Sequence, residues 1–232
     1  MKIIVVGHGM VGHKFLEELH QLASVPTEVT VLCEEPRAAY DRVHLSEFFA
    51  GKTADDLSLV EPGFFDKSGF ALRLKTRAAA IDRRKKTVTT ADGEVLSYDK
   101  LVLATGSVPF VPPVKGNDRA DCFVYRTIED LEAMTEAGAR SQSGVVVGGG
   151  LLGLECAKAL RDLGLETHVV EFAPRLMTVQ VDDDGGRVLR NKIEELGLHV
   201  HTSRNTVEIT DGARARHRMV FNDGSHLETD MI

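Results

Sequence analysis

Ile3-Ile4-Val5-Val6-Gly7-His8-Gly9-Met10-Val11-Gly12 opens on an apolar run and closes on three glycines spaced G-x-G-x-x-G. Four apolar residues in a row predict a strand buried on both faces, the habit of parallel sheets. Beyond Gly12, Phe15, Leu16, Leu19 and Leu22 share one side of a helical pattern. Lys14, Glu17, Glu18 and Gln21 share the other, as an amphipathic helix requires. Pro26 ends that pattern. Val29-Thr30-Val31-Leu32 predicts the next strand, with Glu34 and Glu35 just past its end. The unit is strand, glycine loop, helix, strand, acid.

The same plan recurs downstream. Gly144-Val145-Val146-Val147 predicts a strand and Gly148-Gly149-Gly150-Leu151-Leu152-Gly153 a loop. Leu154, Ala157, Leu160 and Leu163 form the apolar side of a helix that Gly164 caps. His168-Val169-Val170 then leads to Glu171. Further on, Asp92-Gly93 matches Asp223-Gly224, and Tyr98-Asp99-Lys100 matches Thr229-Asp230-Met231, at a constant offset of 131 (92 to 223, 99 to 230). Such self-similarity marks an internal duplication. It predicts an α/β chain of two Rossmann-like domains, residues 1–112 and 113–232. Each has a parallel sheet, helices and a small antiparallel meander. The first copy continues through Leu101-Val102-Leu103-Ala104 into Thr105-Gly106, whereas the second stops at Ile232 inside the matching strand. The expectation is a C-terminally truncated piece of a longer protein.

Both loops have the makings of a phosphate cradle. In G-x-G-x-x-G the first glycine makes the tight turn and the second lets a pyrophosphate approach the main chain. The third lets helix and strand pack closely. The helix N-terminus adds unpaired N–H groups and about +0.5 of a charge. An acid about 20 residues on binds the adenosine ribose hydroxyls. Glu34 follows Gly12 by 22 positions and Glu171 follows Gly153 by 18. A carboxylate at Glu171 repels a 2′-phosphate, which favours NADH over NADPH; Arg175 stands close enough in sequence to weaken that preference.

Composition excludes several other classes. The 232 residues carry a net charge of −7 and are 43% hydrophobic, which implies a packed core and gives no basic face for nucleic acid. The densest basic run, Arg83-Arg84-Lys85-Lys86, reads as a solvated hairpin turn. No apolar run approaches the roughly 18 residues of a membrane helix, and no signal sequence precedes the first loop. The expectation is a cytoplasmic protein with no membrane partner. Cys33, Cys122 and Cys156 form no C-x-x-C pair. They argue against a disulfide framework, a zinc site or a dithiol centre and read as small buried hydrophobes. Asp182-Asp183-Asp184 reads as a helix start rather than a metal site, and His8 and His13 as local hydrogen-bonding groups.

Together these residues resemble the pyridine-nucleotide disulfide oxidoreductase superfamily. Gly7, Gly9 and Gly12 with Glu34 resemble its FAD fingerprint. Leu103-Ala104-Thr105-Gly106-Ser107 resembles its A-T-G segment beside the flavin. Gly148, Gly150 and Gly153 with Glu155 and Glu171 resemble its NAD fingerprint. Ala39-Tyr40-Asp41-Arg42-Val43-His44-Leu45-Ser46 is similar to the Y-x-R-x-x-L-S segment of its ferredoxin, rubredoxin and nitrite reductase branches. With Gly9–Phe15 and Asp56–Val60, this segment resembles the N-terminal end of the assimilatory NAD(P)H nitrite reductase large-subunit family. Glu47 stands where ferredoxin-reductase relatives often carry a lysine, and the superfamily's late Gly-Asp motif would lie beyond residue 232.

The resemblance implies a flavoprotein in which NADH reduces FAD. Sirohaem and iron–sulfur domains outside this chain would then reduce nitrite to ammonium, with a small subunit as a further partner. It implies that Arg42 and Ser46 contact FAD, that Ala78, Thr105 and Gly106 bring backbone to it, and that Glu155 stands near the nicotinamide. Met10 and Val11 in the first loop, Leu151 and Leu152 in the second, and Glu35 complete the candidate binding set. No side chain of this chain is expected to act as a catalytic acid or base. Two other readings stay open: an NADH-dependent ferredoxin or rubredoxin reductase, and a nucleotide-binding fragment without activity of its own.

Overall fold

The computed structural model describes residues 1–22 and 25–232 and divides into two compact units. The first comprises Met1–His44 and Thr53–Val108, the second Leu45–Lys52 and Pro109–Ile232. The division falls at 108/109, four residues before the break expected from the duplication. The grouping of Leu45–Lys52 with the second unit had no signal in the sequence.

In the first unit, β1 (Lys2–Val6) leads through the glycine loop into α1 (Met10–Leu22), followed by β2 (Glu28–Leu32). Later come α2 (Phe64–Ser68) and β3 (Ala71–Arg73), the meander β4 (Ala78–Asp82), β5 (Thr87–Thr90) and β6 (Val95–Ser97), then β7 (Lys100–Leu103). The main sheet has the order β3-β2-β1-β7 and is parallel throughout. The meander is antiparallel, and Arg83–Lys86 form the turn between β4 and β5. Alternation along β1 sorts its side chains between two cores. Ile3 and Val5 pack with Leu16, Val29, Val31 and Phe70 on one face. Ile4 packs with Leu32 and Val88 on the other, against Ala78 and Leu96 of the meander. An uninterrupted apolar run is what a strand covered on both sides needs.

The second unit repeats the plan after α3 (Ile128–Gly138), whose N-terminus carries a capping box between Thr127 and Asp130. There follow β8 (Ser143–Val147), α4 (Leu151–Asp162), β9 (Glu166–Val170), α5 (Asp183–Glu195) and β10 (His199–His201). The meander β11 (Thr206–Asp211), β12 (His217–Phe221) and β13 (His226–Thr229) closes the unit. β10-β9-β8 is a parallel sheet and β11-β12-β13 an antiparallel one, as the duplication predicted. Val145 and Val170 pack with Ile209, Met219 and Phe221 of the meander. Met231 makes a parallel bridge with Gly144, matching the place of Lys100 beside Ile3 in the first copy.

Gly164 follows α4 at φ +87°, the left-handed C-terminal geometry expected of it. Asp182 caps α5 by accepting from the Gly185 N–H at 2.8 Å, so the acidic triplet is a helix start. All three cysteines are free thiols. Cys33 and Cys156 are buried and Cys122 is half-buried. Among the described residues no helix is long and apolar enough to cross a membrane.

Candidate nucleotide-binding sites

The first glycine loop has the geometry that its spacing implies. Gly7 adopts φ +100° and its N–H donates to the Leu32 carbonyl at 2.9 Å, turning the chain at the end of β1. A Cβ on Gly7 would run into the Ala104 carbonyl, and one on Gly12 into the Gly7 carbonyl. Gly9 is open on its outer side, where the nearest atom a Cβ would meet is the Arg42 Nε at 4.0 Å. Two glycines therefore allow close packing and the middle one leaves room for a ligand. The first turn of α1 holds no acidic residue, so its positive end is free to meet an anion. Met10 begins that helix and Val11 is exposed on it.

Beside this loop, Glu35 binds the Arg42 guanidinium and accepts from the Tyr40 hydroxyl at 2.8 Å. The guanidinium lies 4.7 Å from the centre of the Tyr40 ring, a cation–π contact. Glu34 is exposed and reaches Arg77 only at 3.8 Å. Ala78 packs its side chain on the Ile4–Leu32–Val88 cluster, so its methyl group serves the core. Thr105 is exposed and Gly106 turns at φ +67°. Ser46 lies in a short 3-10 helix, Leu45–Ala50, which belongs to the second unit.

The second loop is built alike. Gly148 takes φ +116° and donates to the Val170 carbonyl at 2.8 Å. A Cβ on Gly153 would run into the Gly148 carbonyl, while Gly150 is open. Gly150 is the N-cap of α4 with no capping side chain, and the first turn of α4 holds no acid. Leu151 and Leu152 are exposed there, and Glu155 stands half-buried in the next turn.

The Glu171 carboxylate accepts from Gly149 N–H at 2.6 Å and from Ala173 N–H at 2.7 Å. These bonds hold it against the loop. Arg175 turns elsewhere: it donates to Asp183 at 2.8 Å and to the Val181 carbonyl at 3.2 Å. Arg204 binds Asp223 and Ser225. The two nearby guanidinium groups are thus engaged by other acceptors, and Glu171 leaves a negative charge at the end of β9.

The two copies differ in the register of the acid. Leu32 and Val170 hold equivalent places, each accepting from the first loop glycine. Glu171 comes one residue after Val170, whereas Glu34 comes two after Leu32 and buried Cys33 takes the intervening position. The two glycine hydrogen bonds, by making Leu32 and Val170 equivalent, define this shift.

A feature the sequence did not announce is a cavity of about 240 Å³ in the second unit. Phe110, Tyr125, Val147, Leu152 and Cys156 are among its walls. Burial pushes the Cys156 thiol up to about 12 and raises the Tyr125 phenol above its ordinary value. Both groups are neutral near pH 7, and the space suits apolar matter rather than phosphate. His8, buried behind the first loop, was also missed as a structural partner of the 33–42 segment.

Residues 1–232 match the model of the pyridine nucleotide-disulphide oxidoreductase family. The chain is 53% identical over 234 residues to the nitrite reductase (NADH) large subunit of Escherichia coli strain K12, covering 100% of this chain and 28% of that protein. It is 54% identical to the nitrite reductase [NAD(P)H] large subunit of Klebsiella oxytoca, covering 99% of this chain and 24% of that one. The chain thus spans about a quarter of the length of these relatives. A solved ferredoxin reductase from Rhodopseudomonas palustris superposes with a TM-score of 0.91 at 27% identity, over 99% of this chain and 57% of its own.

Proposed function

The chain belongs to the pyridine nucleotide-disulphide oxidoreductase family, and on that premise we propose that it is the FAD- and NADH-binding part of a nitrite reductase. The observation that carries this reading is the pair of open glycine loops, one beside Arg42 and the other beside Glu171. Both loops fit a dinucleotide: the middle glycine is open and the helix end is uncompensated by acids. Similarity to nitrite reductase large subunits supports the choice of parent enzyme.

In this reading residues 1–112 bind FAD and 113–232 bind NADH. Gly7, Gly9, Met10, Val11 and Gly12 offer main chain to the FAD pyrophosphate, and Arg42 supplies positive charge. Glu34 or Glu35 serves the ribose. Ala78, Thr105 and Gly106 complete the surroundings. Gly148, Gly150, Leu151, Leu152 and Gly153 hold the NADH pyrophosphate, Glu171 the adenosine ribose, and Glu155 borders the nicotinamide. FAD supplies the hydride acceptor when bound. The chain's part is to bind and orient both nucleotides.

Sirohaem and an iron–sulfur cluster, in other domains of the parent protein, would supply the chemistry that reduces nitrite to ammonium. The relatives' designation as large subunits supports a small subunit as partner. A cytoplasmic setting accords with NADH as the donor. The test is NADH oxidation by the complete protein with nitrite as sole acceptor. Consumption of about three NADH per ammonium formed, matching the roughly six electrons the chemistry requires, supports the reading. NADH oxidation that needs added ferredoxin or rubredoxin and leaves nitrite untouched replaces it with a carrier reductase.

A further inference from the structure

His8 stands between the first two loop glycines, yet its side chain turns inward and is 4% exposed. Its Nδ1 accepts a hydrogen bond from the Ala39 N–H at 3.1 Å, a link across 31 residues. A backbone N–H can only donate. Nδ1 is therefore unprotonated, and the ring proton of the neutral imidazole sits on Nε2. Burial, assisted by His13, lowers the pKa of this imidazole to about 4, which keeps it in that acceptor form at neutral pH.

The surroundings fix the ring. Phe65 meets it edge-on with centroids 5.3 Å apart, and His13 at 5.4 Å with planes perpendicular. Ala39 and Tyr40 are both buried. Three residues beyond Ala39, Arg42 arches back until its Nε is the nearest group to the outer side of Gly9. One imidazole thus ties the glycine loop to the stretch of chain that carries the guanidinium. No other candidate in the loop, Met10 and Val11 included, has a polar side chain able to make that tie.

We propose that His8 is a positioning residue for FAD, acting through Ala39 to hold Arg42 over the phosphate loop. This rests on the reading that the first unit binds FAD. Without an acceptor at residue 8, the Ala39 N–H is left buried and unpaired, and the segment must shift to find water. The shift carries Arg42 with it and weakens its approach to Gly9, against the hold that Glu35 and Tyr40 keep on its guanidinium.

The test is FAD titration of the complete apoprotein, followed by quenching of flavin fluorescence. NADH binding, measured by calorimetry, serves as the control for the second unit. His8→Leu removes the acceptor. His8→Asn keeps an acceptor oxygen near the place of Nδ1. The expected result is FAD binding about 10-fold weaker for His8→Leu and within about 3-fold of the native protein for His8→Asn, with NADH binding unchanged. In an Arg42→Ala background, His8→Leu should weaken FAD binding by less than about 2-fold, since the residue through which it acts is gone. Equal FAD binding by His8→Leu and the native protein overturns the proposal, as does an undiminished effect of about 10-fold in the Arg42→Ala background. A native protein that binds no FAD at all overturns instead the functional reading beneath it.

Discussion

The Glu171 carboxylate accepts a hydrogen bond from the Gly149 N–H at 2.6 Å, so an acid at the end of β9 is anchored on the glycine loop that opens α4. A second bond, from the Ala173 N–H at 2.7 Å, fixes its other oxygen. On the proposed reading, a carboxylate held there would repel a 2′-phosphate. Glu171→Gln removes the charge and keeps the shape. It should raise the NADPH-to-NADH ratio of kcat/KM about 10-fold, the size of one charge-assisted contact. Steady-state rates with the two donors check this, and an unchanged ratio rejects the role.

Arg175 gives a contrasting expectation. Its guanidinium is spent on Asp183 and on the Val181 carbonyl, so it is a structural brace between the loop after β9 and the start of α5. Arg175→Ala should leave the NADPH-to-NADH ratio within about 2-fold and lower stability by about 1 kcal/mol. Kinetics and a urea midpoint read the two effects separately.

The glycines separate the two cofactors. A methyl group on Gly12 would strike the Gly7 carbonyl, and one on Gly153 the Gly148 carbonyl. Gly12→Ala should cut FAD binding at least about 10-fold and leave NADH binding intact; Gly153→Ala should do the reverse. Calorimetry on each variant reads both nucleotides. Loss of both nucleotides from either variant contradicts separate sites.

Acid should destabilise the fold ahead of carboxylate titration. Burial lowers both His8 and His168 to about 4. His168 also faces His199, His201 and Glu166, with its Nδ1 3.1 Å from the His201 Nε2. Unfolded histidines take up protons near pH 6.5, while these two resist until about pH 4. Between those values the unfolded state binds more protons, so stability falls as pH falls. The slope is at most about 1.4 kcal/mol per pH unit for each histidine, less for the partly exposed His168. Urea midpoints from about pH 7 down to about pH 4 should decline, and His168→Gln should flatten the decline. A midpoint independent of pH over that window contradicts the burial argument.

Much of this was legible in the sequence because it rests on local rules. Ile3–Val6 and Gly144–Val147 announce buried strands, and each loop needs glycine where a Cβ has no room. The 131-residue offset marked out the two meanders and the turns at Asp92-Gly93 and Asp223-Gly224. What stayed hidden depends on direction and long-range packing. Cys33 displaces the acid of the first copy by one residue, a shift defined by the glycine hydrogen bonds that align Leu32 with Val170. Arg175 looked able to serve a phosphate until its partners were known. His8 pairs with Ala39 across 31 residues, and the cavity near Tyr125 is enclosed by segments far apart in the chain.

The most direct test of the two-loop assignment is anaerobic mixing of NADH with the FAD-loaded complete protein while the visible flavin band is followed. The band should bleach with the native protein, and Gly153→Ala, still carrying FAD, should bleach only at NADH concentrations at least about 10-fold higher. A flavin that stays oxidised in the native protein, or one that bleaches identically in Gly153→Ala, would contradict the claim that the two glycine loops serve FAD and NADH in turn.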